Sequence, residues 1–168
     1  MNKNSLACAG CMRLPAYVYF LGSIMIRETF SSDETFALGQ EIGKTASGGD
    51  VFALEADLGC GKTVIAQGIA SGLGIDENVS SPTFTILQIY EEGRLPLYHF
   101  DVYRIGDISE MDEIGYEDCF YGDGVSVIEW ADLIEEILPD NYTLIKIEKD
   151  PEKGFDYRKI ETRKVKGV

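Results

Sequence analysis

The chain has 168 residues, 45% hydrophobic and 26% charged, which excludes a wholly disordered chain and suits one domain with a sizeable apolar core. Its 15 basic and 29 acidic residues give a formal charge of −14, and so acidic a surface repels phosphate backbones, arguing against a protein that grips RNA or DNA by itself. Cys8 and Cys11 form a C-x-x-C pair, but with one histidine, His99, and no second pair, a Cys/His metal site lacks ligands.

In chain order, residues 1–24 read unlike the rest. Lys3 and Arg13 precede a short apolar run, Ala16 to Ile26, broken by Gly22 and Ser23. That run is too short to cross a bilayer, and no small-residue cleavage site follows it. Residues 1–24 are therefore expected to be a non-native or disordered extension, with Met25 as the natural start of a domain at 25–168. Ile26 to Phe30 reads as a short strand, and Ser31 with Glu34 makes a capping box that opens a helix. Leu38, Ile42, Thr45 and Ala46 share one face of that helix, and Gly48-Gly49 ends it.

Val51 to Glu55 is a buried-type strand leading into a glycine loop. A helix follows from Lys62 to Leu73, with Ile65, Ile69 and Leu73 four apart and Gly74 as its stop. Thr83 to Tyr90 and Leu95 to Tyr103 read as the two arms of a β-hairpin turning at Glu91 to Arg94. Ser109 to Glu117 is expected to be helical. Val125 to Ile128 is a compact strand ending in Glu129 and Trp130, and Asp132 to Leu138 is a helix closed by Pro139. Tyr142 to Glu148 and Tyr157 to Arg163 are the last strands, the second continuing into a solvated basic tail of Arg158, Lys159, Arg163, Lys164 and Lys166. Strands alternate with helices early and pair directly later, which predicts a single α/β P-loop NTPase-like domain with a mixed sheet flanked by helices.

Gly59, Cys60, Gly61, Lys62, Thr63 and Val64 lie where that strand passes into that helix. A glycine loop in this position turns backbone N–H groups and a helix dipole on a phosphate chain. Lys62 would reach the β- and γ-phosphates and the Thr63 hydroxyl would hold Mg²⁺. The pattern asks for glycine at its first position, and Ala56 stands there, at a cost of about 1 kcal/mol if φ must be positive. Glu129 and Asp101 both end strands, where an acid can point from the carboxyl edge of the sheet toward the phosphates. The hydroxyls of Ser80-Ser81-Pro82-Thr83-Phe84-Thr85 are placed as in loops that sense a γ-phosphate.

Four motifs occur together: Asp57-Leu58-Gly59-x-Gly61-Lys62-Thr63, Ser81-Pro82-Thr83-Phe84-Thr85, His99-Phe100-Asp101-x-Tyr103-Arg104 and Ile128-Glu129-Trp130. In this order they resemble the TsaE (YjeE) family, over about Ile26 to Arg163. The resemblance implies a cytoplasmic accessory ATPase of tRNA N6-threonylcarbamoyladenosine biosynthesis, using ATP and Mg²⁺. It would be slow alone and would reset the TsaB–TsaD complex between turnovers. Contact with tRNA would be indirect, through that complex, with no role for DNA or membrane. By the same resemblance Lys62 and Thr63 take phosphate and Mg²⁺, and Glu129 is a Mg²⁺ ligand. Asp101 serves hydrolysis as a second metal carboxylate or by orienting water. Thr83 and Thr85 are switch residues, Trp130 flanks the site, and Arg158 matches an arginine near the adenine.

Three rival readings weigh less: a GTPase, a small-molecule or nucleotide kinase, and a nucleotide-gated binding module with no turnover. A GTPase would carry an N-K-x-D element, and none is present. A kinase needs an arginine-lined acceptor pocket, and only Arg94 and Arg104 lie between the glycine loop and Glu129.

Overall fold

A computed structural model describes residues 18–21 and 24–167. Most of the segment set apart at the N-terminus, with its Cys8–Cys11 pair, lies outside the described residues. The exceptions are Ile24 and Val18–Leu21, which forms β1. The remaining strands are β2 (Ile24–Thr29), β3 (Val51–Ala56), β4 (Leu87–Tyr90), β5 (Leu97–Asp101), β6 (Val125–Glu129), β7 (Asn141–Lys149) and β8 (Arg158–Lys166). They form one sheet in the order β1-β2-β8-β7-β3-β6-β5-β4. β3 runs parallel to β6 and β7, and β5 parallel to β6, while the outer pairs are antiparallel. The sheet is mixed, as the sequence predicts.

Central β3 reads Val-Phe-Ala-Leu before its first acid, as a strand covered on both faces must. Alternation sends Phe52 and Leu54 to one core, with Leu38, Ile65 and Ile69 from α1 (Ser32–Thr45) and α2 (Lys62–Gly72). It sends Val51 and Ala53 to the other, where Met111 from α3 (Glu110–Glu113) and Phe120 from α4 (Tyr116–Phe120) pack with Ile134. The result is a sheet between two helical layers.

α1 begins as its sequence dictates: the Ser31 side chain accepts from the Glu34 N–H at 3.1 Å, and the Glu34 carboxylate reaches back to the Phe30 N–H at 2.7 Å. Its buried face differs from the expected one. Leu38 and Ala46 are buried, but Thr45 is exposed, and the face runs through Thr35, Leu38, Gly39 and Gly43. The reason is the partner helix. A β-carbon on Gly43 would lie 2.2 Å from the Ile69 carbonyl oxygen, and one on Gly68 would lie 2.3 Å from that of Phe36. Gly39, Gly43, Gly68 and Gly72 let the backbones of α1 and α2 touch, and α2 carries the phosphate loop at its start.

Other boundaries shift for local reasons. The first hairpin arm starts at Leu87 rather than Thr83, because Thr85 and Ile86 N–H groups turn back onto the Pro82 carbonyl. The expected helix at 109–117 is two short ones, broken at Gly115 with φ 68°. Ala131–Ile137 is 3₁₀ rather than α, with a kink at Ile134.

Candidate functional site

The parallel strands β3, β5 and β6 end side by side, so Ala56, Asp101 and Glu129 reach the same edge of the sheet. This is where an open α/β sheet binds ligands. Beyond β3 the chain makes a tight loop, with φ of 70° at Gly59 and 101° at Gly61, values open to glycine and strained for other residues. Ala56 is not among the positive-φ residues, so the missing first glycine costs the loop nothing. Gly61 caps α2 without any side chain, which leaves the first-turn N–H groups free to face an anion.

Lys62 is buried. Its ammonium donates to the carbonyls of Ala56 at 2.7 Å and Asp57 at 3.1 Å, and sits 3.5 Å from the centre of the Trp130 ring. Burial pulls the Lys62 pKa below its ordinary value, against the opposing pull of Glu129 and Asp101. Trp130 is itself held with φ at 65°, its N–H on the Leu54 carbonyl and its ring 4.8 Å from that of Tyr103.

The Thr63 hydroxyl donates to both oxygens of Glu129, 2.9 Å to Oε1 and 3.1 Å to Oε2. Opposite Glu129 in the register stands Asp101. Its Oδ2 accepts from the hydroxyls of Ser81 and, at 2.6 Å, Thr83, and its Oδ1 accepts from the Tyr103 N–H. Ile86, a β-branched residue with φ at 64°, accepts the Asp101 N–H on its carbonyl. Such a backbone is strained and persists only where its surroundings impose it.

These groups line one cavity of 480 Å³. Of the residues singled out from the sequence, Gly59, Cys60, Gly61, Lys62, Thr63, Val64, Thr83, Asp101, Glu129 and Trp130 all lie on it. Thr85 and Arg158 do not. Thr85 is exposed in the turn that closes on the Pro82 carbonyl, and Arg158 braces the loop, its Nε donating to the Cys60 carbonyl at 2.8 Å. A larger hollow of 760 Å³ adjoins the loop near Lys146 and Lys149, but holds none of Lys62, Thr63, Asp101 or Glu129. Ser81, from the hydroxyl run singled out in the sequence, lies on the cavity too, as does Tyr103, which like His99 carries no role of its own in the sequence reading. Position i−2 from Asp101 on a strand was the available signal for His99. Arg94, considered for an acceptor pocket, instead caps α1 by donating to the Gly43 and Ala46 carbonyls at 2.6 Å.

The donor set is a hydroxyl and two carboxylates. No group of three or more His, Cys, Asp or Glu among the described residues forms a complete metal cage. Hard oxygen donors in an incomplete set fit Mg²⁺, which keeps waters and takes its remaining ligands from a substrate's phosphates. Thr63 and Glu129 could hold it, with Asp101 alongside.

Residues 29–160 match the family model described as Threonylcarbamoyl adenosine biosynthesis protein TsaE. The chain is 48% identical over 132 residues to the tRNA threonylcarbamoyladenosine biosynthesis protein TsaE of Bacillus subtilis, covering 79% of this chain and 80% of that one. It is 44% identical over 114 residues to the protein of that name from Treponema pallidum, covering 68% and 83%. The crystal structure of YdiB from Bacillus subtilis superposes with a TM-score of 0.73 at 39% identity, covering 90% of this chain and 88% of that one. The chain therefore belongs to the TsaE family of tRNA threonylcarbamoyladenosine biosynthesis proteins.

Proposed function

We propose that this protein binds ATP with Mg²⁺ and hydrolyses it slowly, as the accessory ATPase of tRNA N6-threonylcarbamoyladenosine formation at position 37, resetting a TsaB–TsaD complex between turnovers. The observation that carries the reading is the meeting of Lys62, Thr63, Glu129 and Asp101 on one cavity at the mouth of the glycine loop. Loop and helix N–H groups would hold the phosphates, and the Lys62 ammonium would move from its carbonyl partners to the γ-phosphate. Bound Mg²⁺, which Thr63 and Glu129 would hold, would supply positive charge against the charge that develops in phosphoryl transfer. Asp101 would orient or deprotonate the attacking water once its hydroxyl partners, Ser81 and Thr83, turn to other acceptors. Trp130 and Tyr103 line the same cavity.

Slow turnover follows from charge. Among the described residues lining the cavity, Lys62 is the only cation. Arg104 stands apart, over the Phe84 ring at 4.6 Å. A second positive group delivered by a partner is worth roughly 10³–10⁵ in rate in related phosphoryl transfers. No helix among the described residues is long and apolar enough to cross a membrane. The net charge of −14 agrees with reaching tRNA only through partners.

ATP hydrolysis should be measured with and without TsaB and TsaD, in wild type and Asp101→Ala. Turnover is expected to rise at least about tenfold with the partners. Asp101→Ala is expected to keep nucleotide binding and lose about 10²-fold or more in rate. Equal turnover with and without partners overturns the accessory role, and an undiminished Asp101→Ala overturns the assignment of that carboxylate.

A further inference from the structure

His99 is fully buried, and its single hydrogen bond runs from Nε2 to Oε1 of Glu129 at 3.0 Å. Nδ1 is buried with no partner among the described residues. An ionised carboxylate can only accept, so Nε2 carries a proton. A ring with one polar contact and an unmet nitrogen is a costly way to fill a core. An apolar side chain of that volume would pack there without the penalty, so the contact with Glu129 is what the histidine adds.

β5 places His99 and Asp101 two residues apart on one face, and Glu129 stands opposite Asp101 on β6. His99 thus approaches the Glu129 carboxylate from the interior of the sheet, while Thr63 meets it from α2. Oε1 takes hydrogen bonds from both, and Oε2 takes one, from Thr63. The Thr63 hydroxyl shares its one proton between the two oxygens, so the His99 bond is what distinguishes Oε1 from Oε2 and fixes the rotation of the carboxylate.

We propose that His99 is a positioning residue for Glu129, holding Oε1 so that Oε2 is presented to the divalent cation that accompanies the nucleotide. This rests on the ATP and Mg²⁺ reading above. Groups that orient a ligating carboxylate act through the affinity for the metal, not through the phosphate contacts of the loop.

The test compares binding of a fluorescent ATP analogue in EDTA and across a Mg²⁺ titration, for wild type, His99→Leu and His99→Gln, with melting curves as a fold control. His99→Leu is expected to raise the Mg²⁺ needed for half the gain in affinity by about tenfold or more, with binding in EDTA within roughly twofold of wild type. His99→Gln, whose amide can still donate to Oε1, is expected to restore most of the response. A His99→Leu protein that answers Mg²⁺ like wild type overturns the proposal. So does a loss shared equally between EDTA and Mg²⁺, or a His99→Gln as impaired as His99→Leu. A wild type indifferent to Mg²⁺ overturns the ATPase reading itself, and the positioning role with it.

A second measurement needs no variant. His99 is the only histidine in the sequence, so histidine-specific ¹⁵N labelling of untagged protein gives one ring to follow by NMR. The expected spectrum has a protonated Nε2, which moves on addition of Mg²⁺ plus nucleotide but not of nucleotide in EDTA. A proton on Nδ1 alone, or an Nε2 indifferent to Mg²⁺, overturns the proposal.

Discussion

On one side of the cavity the chain presents backbone, in Gly59, Gly61 and the opening turn of α2, whereas on the other it presents side chains, in Asp101, Glu129, Ser81 and Thr83. The backbone side takes its shape from packing at a distance, since α2 is set by glycine contact with α1. The side-chain side takes its shape from hydrogen bonds made within the site itself. The two sides should therefore fail differently. Damage to the first comes from remote crowding and shows as lost stability, and damage to the second shows as lost chemistry in a folded protein.

The sharpest way to break the backbone side is Gly68→Ala. Its added methyl would lie 2.3 Å from the Phe36 carbonyl oxygen and 2.8 Å from the Gly39 α-carbon, and neither can yield without moving α1. A loss of roughly 1–3 kcal/mol is expected in denaturant unfolding, despite the better helix propensity of alanine. Nucleotide affinity should fall with it. Retained stability would mean the helices are not held in contact by these glycines.

A milder exchange separates loop shape from loop consensus. Ala56→Gly restores the usual first glycine at a position where φ is not positive. Nucleotide affinity should not change, and stability should fall by about 0.4–1 kcal/mol, because the unfolded chain gains freedom. Tighter nucleotide binding would show that the loop needs a conformation the alanine denies it.

The smallest expected effect on stability comes from Lys62→Met, which lies where the two sides meet. Burial holds the folded pKa of Lys62 below its ordinary 10.5. The unfolded chain therefore binds more protons between the two values, and this group's contribution to stability rises with pH across that window. Below it the charged lysine works against folding. Lys62→Met should lose nucleotide binding yet melt no lower than wild type at pH 7, and any margin should close as pH approaches 10.5. A variant that melts well below wild type at neutral pH would show that the bonds to Ala56 and Asp57 outweigh the cost of burial.

How far the sequence could be read follows the same division. The glycine loop, α2, β3 and the acids at the ends of β5 and β6 were legible because each depends on local spacing: a strand, a turn, a helix, an acid after an apolar run. The seam between α1 and α2 was not. Gly39, Gly43, Gly68 and Gly72 look like weak points of two helices until the helices are set against each other. The place of His99 stayed hidden for a related reason. It rests on a contact with Glu129, 30 residues away in the chain. Thr85, a hydroxyl in the same stretch of sequence as Ser81 and Thr83, is exposed and does not line the cavity.

The glycine seam also limits how this chain can change. Each missing side chain is space that the facing backbone occupies, so a larger residue at any one of the four positions cannot be accommodated by its own helix alone. Alanine scanning, which ordinarily strengthens helices at glycine, runs backwards here. The two helices can diverge only in step, and a search for a hardier variant has to begin elsewhere in the molecule.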